Sequence, residues 1–460
     1  MKKIITLILI SFFPALAFGQ YVEDALRFTE GNGIMTPRAA GFNVSFHGVS
    51  DDIGAMMYNP AGLTLIGKSE FSVGFGFTRY DAEADYLNSM NKFGTNNENI
   101  THLAISTPVG DQKKNRSTIA IGYFLENDFE KNIEFSAFNE NNTYISARSG
   151  SNMMYQLFLA NEEGFTPVND SLSQSSFIQE KGGLHNITGA AAFDVSPVVS
   201  VGFSITGKWG NFDYIKSYNE NDVLNVYNSL EDDFSNVDLR SFQLEESLMQ
   251  AVSGITGKLS FQGRIQEFMR VGVAIEFPTW YEFDEEFSQD ATVYFDNDDS
   301  YDYNSSGSNS YNLSTPFVYS GGMSIHGAGL TFAAGIEYTD ATQLEFSDAI
   351  PEVEQLNVQI VKELVGHVTW GFGVEYQVPM LPIQARASYN KKTSPYSDDI
   401  PNANLSDFSI GGSVFFDNIR IDGVMRWIDV SESRVNYGDT RYILNKQPFQ
   451  LSLGFTYRYN

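Results

Sequence analysis

The side chains that most often do chemistry are few and scattered in this sequence. The 460 residues include no cysteine, which excludes disulfides, thiolate metal sites and cysteine nucleophiles. No two of the five histidines have the His-x-x-x-His spacing of a helical metal site; they are His47, His102, His185, His326 and His367. A Gly-x-Ser-x-Gly elbow and a P-loop are also missing. The sequence therefore predicts no catalytic residue, no metal, no cofactor and no enzyme, although a site built from distant Ser, His and Asn residues would escape such a search.

The charge balance points away from nucleic acids. Asp and Glu number 57 against 29 Lys and Arg, a formal net charge of −28, so a phosphate backbone would be repelled. Aromatic residues make up 14% of the chain and glycines number 39, while charged residues are only 19%. This composition favours strands over helices as the scaffold.

Residues 1–19 have the layout of a bacterial secretory signal peptide. Lys2 and Lys3 precede an apolar stretch, and Ala17-Phe18-Gly19 forms a small-x-small cleavage site. The apolar run of about 15 residues is shorter than the roughly 20 that a spanning helix needs, which favours cleavage over an uncleaved anchor. We therefore expect export beyond the inner membrane.

Strict alternation of apolar and polar residues recurs along the rest of the chain. In the last segment it runs unbroken from Phe449 to Asn460. The polar positions are mostly Gly, Ser and Thr rather than the dense Lys/Glu face of a soluble sheet, which favours a membrane barrel over a soluble sandwich. Runs of this kind predict fourteen strands. They cover residues 69–80, 99–107, 117–127, 184–195, 199–217, 238–260, 268–288, 313–326, 328–346, 360–378, 382–394, 406–416, 419–430 and 447–459.

The connections alternate between short turns and long stretches, as in a membrane barrel with tight periplasmic turns and long extracellular loops. The long loops are expected over residues 128–181, 217–238, 288–312, 346–359, 394–406 and 430–446. Fourteen strands enclose more space than their own side chains fill. We therefore predict an all-β fold, in which residues 69–460 form a fourteen-stranded antiparallel transmembrane β-barrel and residues 20–68 fold into its lumen as a hatch, or plug.

Short motifs within residues 20–68 resemble those of a known family. They are Gly31-Asn32-Gly33, Arg38-Ala39-Ala40-Gly41, Asp51-Asp52 and Asn59-Pro60-Ala61-Gly62-Leu63. This arrangement is similar to the N-terminal hatch of the FadL-type outer membrane transporters of long-chain fatty acids and other hydrophobic compounds, and most of all to the versions found in Bacteroidetes. The resemblance implies that Asn59, Pro60, Ala61 and Gly62 are hatch or gate residues; the alternative is that Asn-Pro merely starts a turn. One departure is that the chain ends in Tyr459-Asn460 and not in an aromatic residue.

The resemblance also implies passive uptake. A hydrophobic molecule is captured in an apolar groove between outer loops, moves into the barrel, and leaves sideways through a kinked strand when the hatch rearranges. For capture we select Met153, Met154, Leu157 and Phe158, an apolar stripe of helical character in which the flexible Met side chains suit loose selectivity. The alternative is that the stripe packs only against its own loop. Gly122, or the interruption at Asn127-Asp128, is the candidate kink.

The expected partners are hydrophobic small molecules such as fatty acids and hydrocarbons, detergents or lipids, and the lipids of the outer membrane, where a monomer would reside. Two alternatives stay open. FadL-like barrels also serve protein secretion as accessory or shuttle proteins, with a similar hatch and similar strands. A general porin is the third possibility, and the hatch disfavours it because a water-filled pore has no need of one.

Overall fold

The computed structural model describes residues 19–29, 31, 36–110, 116–228, 238–266 and 268–459. The signal peptide predicted over residues 1–19 therefore lies outside the described residues, apart from Gly19. Among the residues that the structure describes, no helix is both long and apolar enough to span a bilayer.

The strands form one closed antiparallel sheet, in which the last strand pairs with the first. Fourteen crossings make up this barrel, which confirms the predicted fold class. The strand segments are β1 (Ser69–Tyr86), β2 (Ser89–Val109), β3 (Ser117–Asp128), β4 (Lys131–Asn139), β5 (Leu172–Ser196), β6 (Val199–Asn221), β7 (Leu239–Ile265), β8 (Met269–Glu276), β9 (Trp280–Phe295), β10 (Ser300–Ser314), β11 (Val318–Gly327), β12 (Leu330–Asp340), β13 (Glu345–Ser347), β14 (Gly366–Gln377), β15 (Ile383–Lys392), β16 (Leu405–Phe416), β17 (Ile419–Tyr437), β18 (Thr440–Lys446) and β19 (Phe449–Tyr459).

Four crossings consist of two segments each: β3 with β4, β8 with β9, β10 with β11, and β18 with β19. Three of the four interruptions contain a proline, Pro278, Pro316 or Pro448, which has no N–H to donate to the ladder. The interruption between β3 and β4 has no proline and follows a register shift between Leu125 and Asn127. The small strand β13 pairs only with the end of β10.

Some boundaries differ from the sequence prediction. Residues 288–312 and 430–446, expected as loops, belong mostly to the hairpins β9–β10 and β17–β18. Part of the expected loop over residues 128–181 lies in β4 and β5, and residues 360–363, expected as strand, are helical. The reason is physical: beyond the apolar band both faces of a strand can be polar, so the alternation fades while the pairing continues.

The barrel wall is apolar outside and polar inside. In β19, Leu453 and Phe455 are exposed on the outer face, whereas Ser452 and Thr456 are fully buried towards the lumen. The same inversion recurs on the other strands, with Ile, Val, Leu and Phe outside. This is the pattern of a wall that faces lipid.

Short helices lie inside and above the barrel. They are α1 (Gly19–Arg27), α2 (Pro37–Ala40), α3 (Ala55–Tyr58), α4 (Tyr144–Ala147), α5 (Asn152–Gln156), α6 (Pro351–Glu354) and α7 (Leu356–Glu363), with 3-10 helices at Asn43–Gly48, Pro60–Leu65 and Ala341–Gln343. We call residues 36–66 the inner segment. Its side chains are almost all buried, and it contacts strands on opposite sides of the barrel, including β5, β6, β12 and β14.

Candidate functional site

The inner segment is tied to the wall by buried charges. Arg38, at the start of α2, donates from Nε and Nη2 to the two carboxylate oxygens of Glu375 on β14, at 3.1 and 3.0 Å. It also bonds Asp51 of its own segment. Asp52 is fully buried and accepts from Arg420 of β17 at 3.2 Å. Two strands of the wall therefore hold the segment through buried ion pairs, which are expensive to break because the separated charges stay away from water.

The charges also fix the protonation of this contact. Burial alone would raise the pKa of Asp51, but the guanidinium groups of Arg38 and Arg270 hold that pKa well below its ordinary value. Arg270 on β8 reaches Asp51 Oδ2 at 3.0 Å. Asp51 is therefore ionised throughout the physiological pH range and links α2 to a third strand.

Asn59 joins the inner segment to β7. Its buried side-chain amide donates to the backbone oxygens of His47 (3.2 Å) and Phe261 (3.3 Å) and to Oε1 of Gln262 (2.8 Å). A single side chain thus bridges two parts of the inner segment and the barrel wall. This contact gives the Asn of the motif a physical role beyond starting a turn.

The next three residues of the motif fit the space that Asn59 defines. Pro60 begins a 3-10 helix, where its fixed φ is favourable and no N–H is lost. The Ala61 N–H donates to Ser260 Oγ of β7 at 2.8 Å. At Gly62, a Cβ would lie 2.0 Å from the backbone oxygen of Ser50, so no larger residue fits. Residues 59–62 therefore form a tight joint against the wall, and whether this joint gates transport stays a prediction.

One side of the barrel wall is open in its hydrogen bonding. β2 pairs with β3 only from residues 102–109 to residues 117–124. Beyond that level β2 stays paired with β1, and β3 and β4 stay paired with β5. Within the described residues, no ladder joins residues 89–101 to residues 125–139, and we call this gap the seam.

Side chains bridge the seam in place of backbone pairs. Asp128 Oδ2 accepts from Nδ2 of Asn97 (2.6 Å) and from Nδ2 of Asn99 (2.9 Å). A third contact runs from the Asn132 N–H to Thr95 Oγ1 at 3.3 Å. Each of these bonds uses at least one side chain and can open without breaking a ladder.

The two candidate kink positions differ in their surroundings. Gly122 lies in unbroken register between Ala104 of β2 and Thr188 of β5. A Cβ there would lie 2.5 Å from the Ala104 Cβ, so glycine answers a packing need. Asn127 and Asp128 instead lie at the register shift and the end of β3, on the border of the seam. A role for either position in release stays a hypothesis.

A cavity of about 970 Å³ lies beside the seam. Asn99, Thr101, Leu125 and Asp128 line it on the seam side, and Leu26 of α1 lines it from within. Its wall mixes apolar and charged groups, and its size falls at the upper end of ordinary ligand pockets. The sequence did not single out this cavity; a possible signal was the polar run Asn96-Asn97-Glu98-Asn99, which replaces an apolar face in β2.

A second, smaller cavity of about 240 Å³ borders the inner segment, and eight Lys, Arg and Glu side chains are among the residues that line it. Lys208 pairs with Glu126 at 2.7 Å, and Lys258 pairs with Glu276 at 2.9 Å. An apolar solute in this space would remove water from these charges without replacing it. The route downward through the lumen is therefore unfavourable for a hydrophobic molecule.

The predicted capture stripe is mostly hidden. Met153, Met154 and Leu157 lie in a buried apolar cluster with residues of β7 and β9, such as Phe242. This arrangement is the alternative in which the stripe packs against its own neighbours. Only Phe158 is exposed, with its ring centroid 4.6 Å from that of Tyr301. Of the four, Phe158 alone is accessible to a solute in this structure.

Within the described ranges, the structure brings together no group of three His, Cys, Asp or Glu side chains placed as metal ligands would be. His102 is typical of the histidines: it is buried and bonds Ser72 Oγ at 2.9 Å. Its surroundings indicate a structural role.

Of three comparisons with known proteins, the search of solved structures bears on the fold. No family model matches the sequence, and a search of curated proteins finds no match either. Among solved structures, a Pseudomonas aeruginosa FadL homologue matches with a TM-score of 0.58 at 13% identity, covering 94% of this chain and 100% of that one. The Pseudomonas putida toluene transporter TodX matches at 0.56 and 13%, covering 94% and 98%, and the monoaromatic hydrocarbon channel CymD at 0.51 and 14%, covering 92% and 98%. The fold expected from the FadL resemblance is confirmed.

Proposed function

We propose that this chain is an outer membrane channel for the passive uptake of hydrophobic compounds. The observation that carries the proposal is the coincidence of the 970 Å³ cavity with the seam, because a pocket inside the barrel then borders a stretch of wall without a ladder. The lipid-facing outer surface supports a membrane location. Two solved structures of similar fold are described as a toluene transporter and a monoaromatic hydrocarbon channel.

The proposed route has three stages. A solute is captured at the outer surface, where Phe158 and two exposed valines of α7, Val358 and Val361, offer apolar contact. It then enters the cavity, which α7 also borders through Gln359. From there it leaves sideways through the seam into the membrane, since the charged chamber below disfavours further descent.

In this proposal the inner segment is the hatch. It fills the lumen beneath the cavity, so polar solutes do not leak while a hydrophobic solute turns aside. Asn59 and Ala61 keep it docked through hydrogen bonds to β7, and Pro60 and Gly62 shape the chain beside them, Pro60 by starting the 3-10 helix and Gly62 by allowing close approach to Ser50. A general porin is disfavoured by this filling, and a secretion accessory is considered below on a separate observation.

The carried compounds include amphiphiles as well as pure hydrocarbons. The cavity wall holds charged groups, among them Lys131, Arg434 and Lys446, next to apolar ones such as Leu26 and Phe129. A long-chain fatty acid presents both a carboxylate and an apolar tail to such a wall. Toluene would use only the apolar part, and we expect it to be held more weakly.

The test is solute flux into liposomes that contain the purified protein. Thr78→Trp fills the cavity from β1, and we expect it to reduce uptake of labelled oleate by at least about tenfold, because a pocket occupied by a side chain excludes the ligand. Phe75→Trp, on the lipid-facing side of the same strand, is the matched control and should leave uptake unchanged. Equal uptake by both variants and the unaltered protein would refute the cavity route.

A further inference from the structure

The hairpin β9–β10 ends in a free strand edge. β10 pairs with β9 along its whole length, from Ser300 to Ser314. On its other side it pairs only with β13, through residues 312–314. The next crossing, β12, ends at Asp340 and pairs with β11 below this level. Within the described residues, therefore, no strand pairs with the side of β10 that faces away from β9 over residues 300–311.

This edge is long, and it lacks the features that usually protect one. Twelve residues at about 3.3 Å each give an edge of roughly 40 Å. Natural edges are commonly blocked by Lys, Pro, a bulge or a short length. Residues 300–311 contain no Lys and no Pro, and the register with β9 has no shift. The edge is thus suited to accept another strand.

The charge of the hairpin selects the kind of strand. Residues 280–314 contain nine Asp and Glu and not one Lys or Arg. Five of these carboxylates share the outward face of the hairpin, at the even-numbered positions Glu282, Asp284, Glu286, Asp290 and Asp302. Within the described part of the chain, none of the five has a Lys or Arg within salt-bridge distance. A second copy of the same hairpin would be repelled, whereas a cationic strand would be attracted.

We propose that the β10 edge binds an extended, basic segment of another protein by strand addition. The segment would lie antiparallel or parallel to residues 300–311 and complete the free row of backbone hydrogen bonds. Lys or Arg at its alternate positions would face Asp302 and the β9 carboxylates across the outward face of the widened sheet. The hairpin lies away from the cavity and the seam, so strand addition does not depend on their role in uptake. The edge does meet the proposed capture surface, because the ring of Tyr301 packs on Phe158. The edge gives the secretion-accessory alternative a physical site.

The first test is binding of a synthetic twelve-residue peptide of alternating Lys and Thr to the full-length protein in detergent, followed by fluorescence anisotropy. A peptide with Glu in place of Lys is the charge control, and a peptide N-methylated at alternate residues removes the backbone donors of one edge. We expect binding of the Lys peptide only. Replacing Asp284, Glu286 and Asp302 together with Asn, Gln and Asn should weaken it by about tenfold, since each rim charge contributes a modest amount.

The matched control neutralises three acidic residues elsewhere, Glu98→Gln with Glu134→Gln and Glu162→Gln, and should bind as the unaltered protein does. Hydrogen exchange then locates the contact, and the peptide should slow amide exchange within residues 300–311. Three outcomes would overturn the proposal: binding of the N-methylated peptide with equal affinity, no added protection in residues 300–311, or full protection of these amides before peptide is added. A concentration-dependent dimer whose formation protects the same amides would instead assign the edge to a second copy.

Discussion

The inner segment and the seam are both places where the barrel could open, and they are held in different ways. The inner segment is fixed by ion pairs to three strands and by backbone contacts too close for a side chain. The seam is held by a few hydrogen bonds, in which Asn97 and Asn99 donate to Asp128 and the Asn132 N–H donates to Thr95. Breaking one buried ion pair costs about 3–5 kcal/mol, whereas each hydrogen bond of the seam is only partly buried and contributes about 0.5–1.5 kcal/mol net. The wall is therefore expected to open at the seam before the inner segment moves.

The largest expected effect is the loss of Arg38. Arg38→Ala removes the two-point partner of buried Glu375, which keeps only Arg386 at 3.1 Å, and we expect the free energy of unfolding to fall by about 3 kcal/mol, the low end of the cost of breaking a buried ion pair. Urea titration followed by the gel shift of the folded barrel would measure it. Arg79→Ala removes an exposed ion pair with Asp81 and should cost less than about 1 kcal/mol. Similar losses for the two variants would contradict the difference drawn between buried and exposed pairs.

Next in size is a steric displacement of the inner segment. A Cβ at Gly202 of β6 would lie 2.1 Å from the Ala61 nitrogen, so Gly202→Leu should push residues 59–62 from the wall. We expect single-channel conductance to rise from near zero to a measurable, porin-like value, because the lumen is too wide for the strands to fill alone. Gly189→Leu on β5 meets nothing within 4 Å and should stay closed. A closed Gly202→Leu channel would show that the segment does not seal the lumen at this joint.

Acid provides a milder way to loosen the docking of the inner segment, through the ion pairs of Asp51. The pKa of Asp51 is lowered in the folded protein by Arg38 and Arg270, so its contribution to docking is fully present above the roughly 3.9 of an unfolded Asp. That contribution is lost as the pH falls further towards the folded pKa. Conductance should therefore stay flat from about pH 8 to about pH 5 and rise below about pH 4. The Asp51→Asn channel should have a higher conductance at neutral pH, and its conductance should change less on acidification. A conductance profile against pH that is the same as that of the unaltered protein would show that Asp51 does not help to dock the inner segment.

The smallest effect on stability is expected at the seam. Asp128→Ala removes the acceptor of two bridging bonds without touching a ladder, and should cost about 1–2 kcal/mol of unfolding free energy. We expect Asp128→Ala to take up oleate into liposomes faster than the unaltered protein, because the seam has lost two of its bridging bonds. Asp213→Ala, on β6 and separated from the seam by β5, serves as the control. Slower uptake by Asp128→Ala would mean that the bridge helps passage and does not close it.

Alternation in the sequence was enough to predict the barrel and its number of strands, because a lipid-facing wall must be apolar outside and polar within. It failed above the membrane, where β9 and β10 are polar on both faces over residues such as Ser305 to Ser310. The buried ion pairs could not be predicted from the sequence, because partners such as Arg38 and Glu375 are 337 residues apart. Met153 and Met154 illustrate a further limit, because a helical apolar stripe is equally consistent with burial and with ligand binding. Their burial depends on packing against Phe242 and Val293, which are distant in the sequence.

The exit through the seam can be tested most directly by closing it reversibly. The chain has no native cysteine, so Asn99→Cys with Asp128→Cys can be joined by a short, reducible thiol crosslinker. The control pair, Ser288→Cys with Ser306→Cys, lies in the regular ladder of β9 and β10. We predict that crosslinking the seam abolishes most oleate uptake, that reduction restores it, and that the control pair has no effect. Full uptake with the seam crosslinked would contradict lateral release.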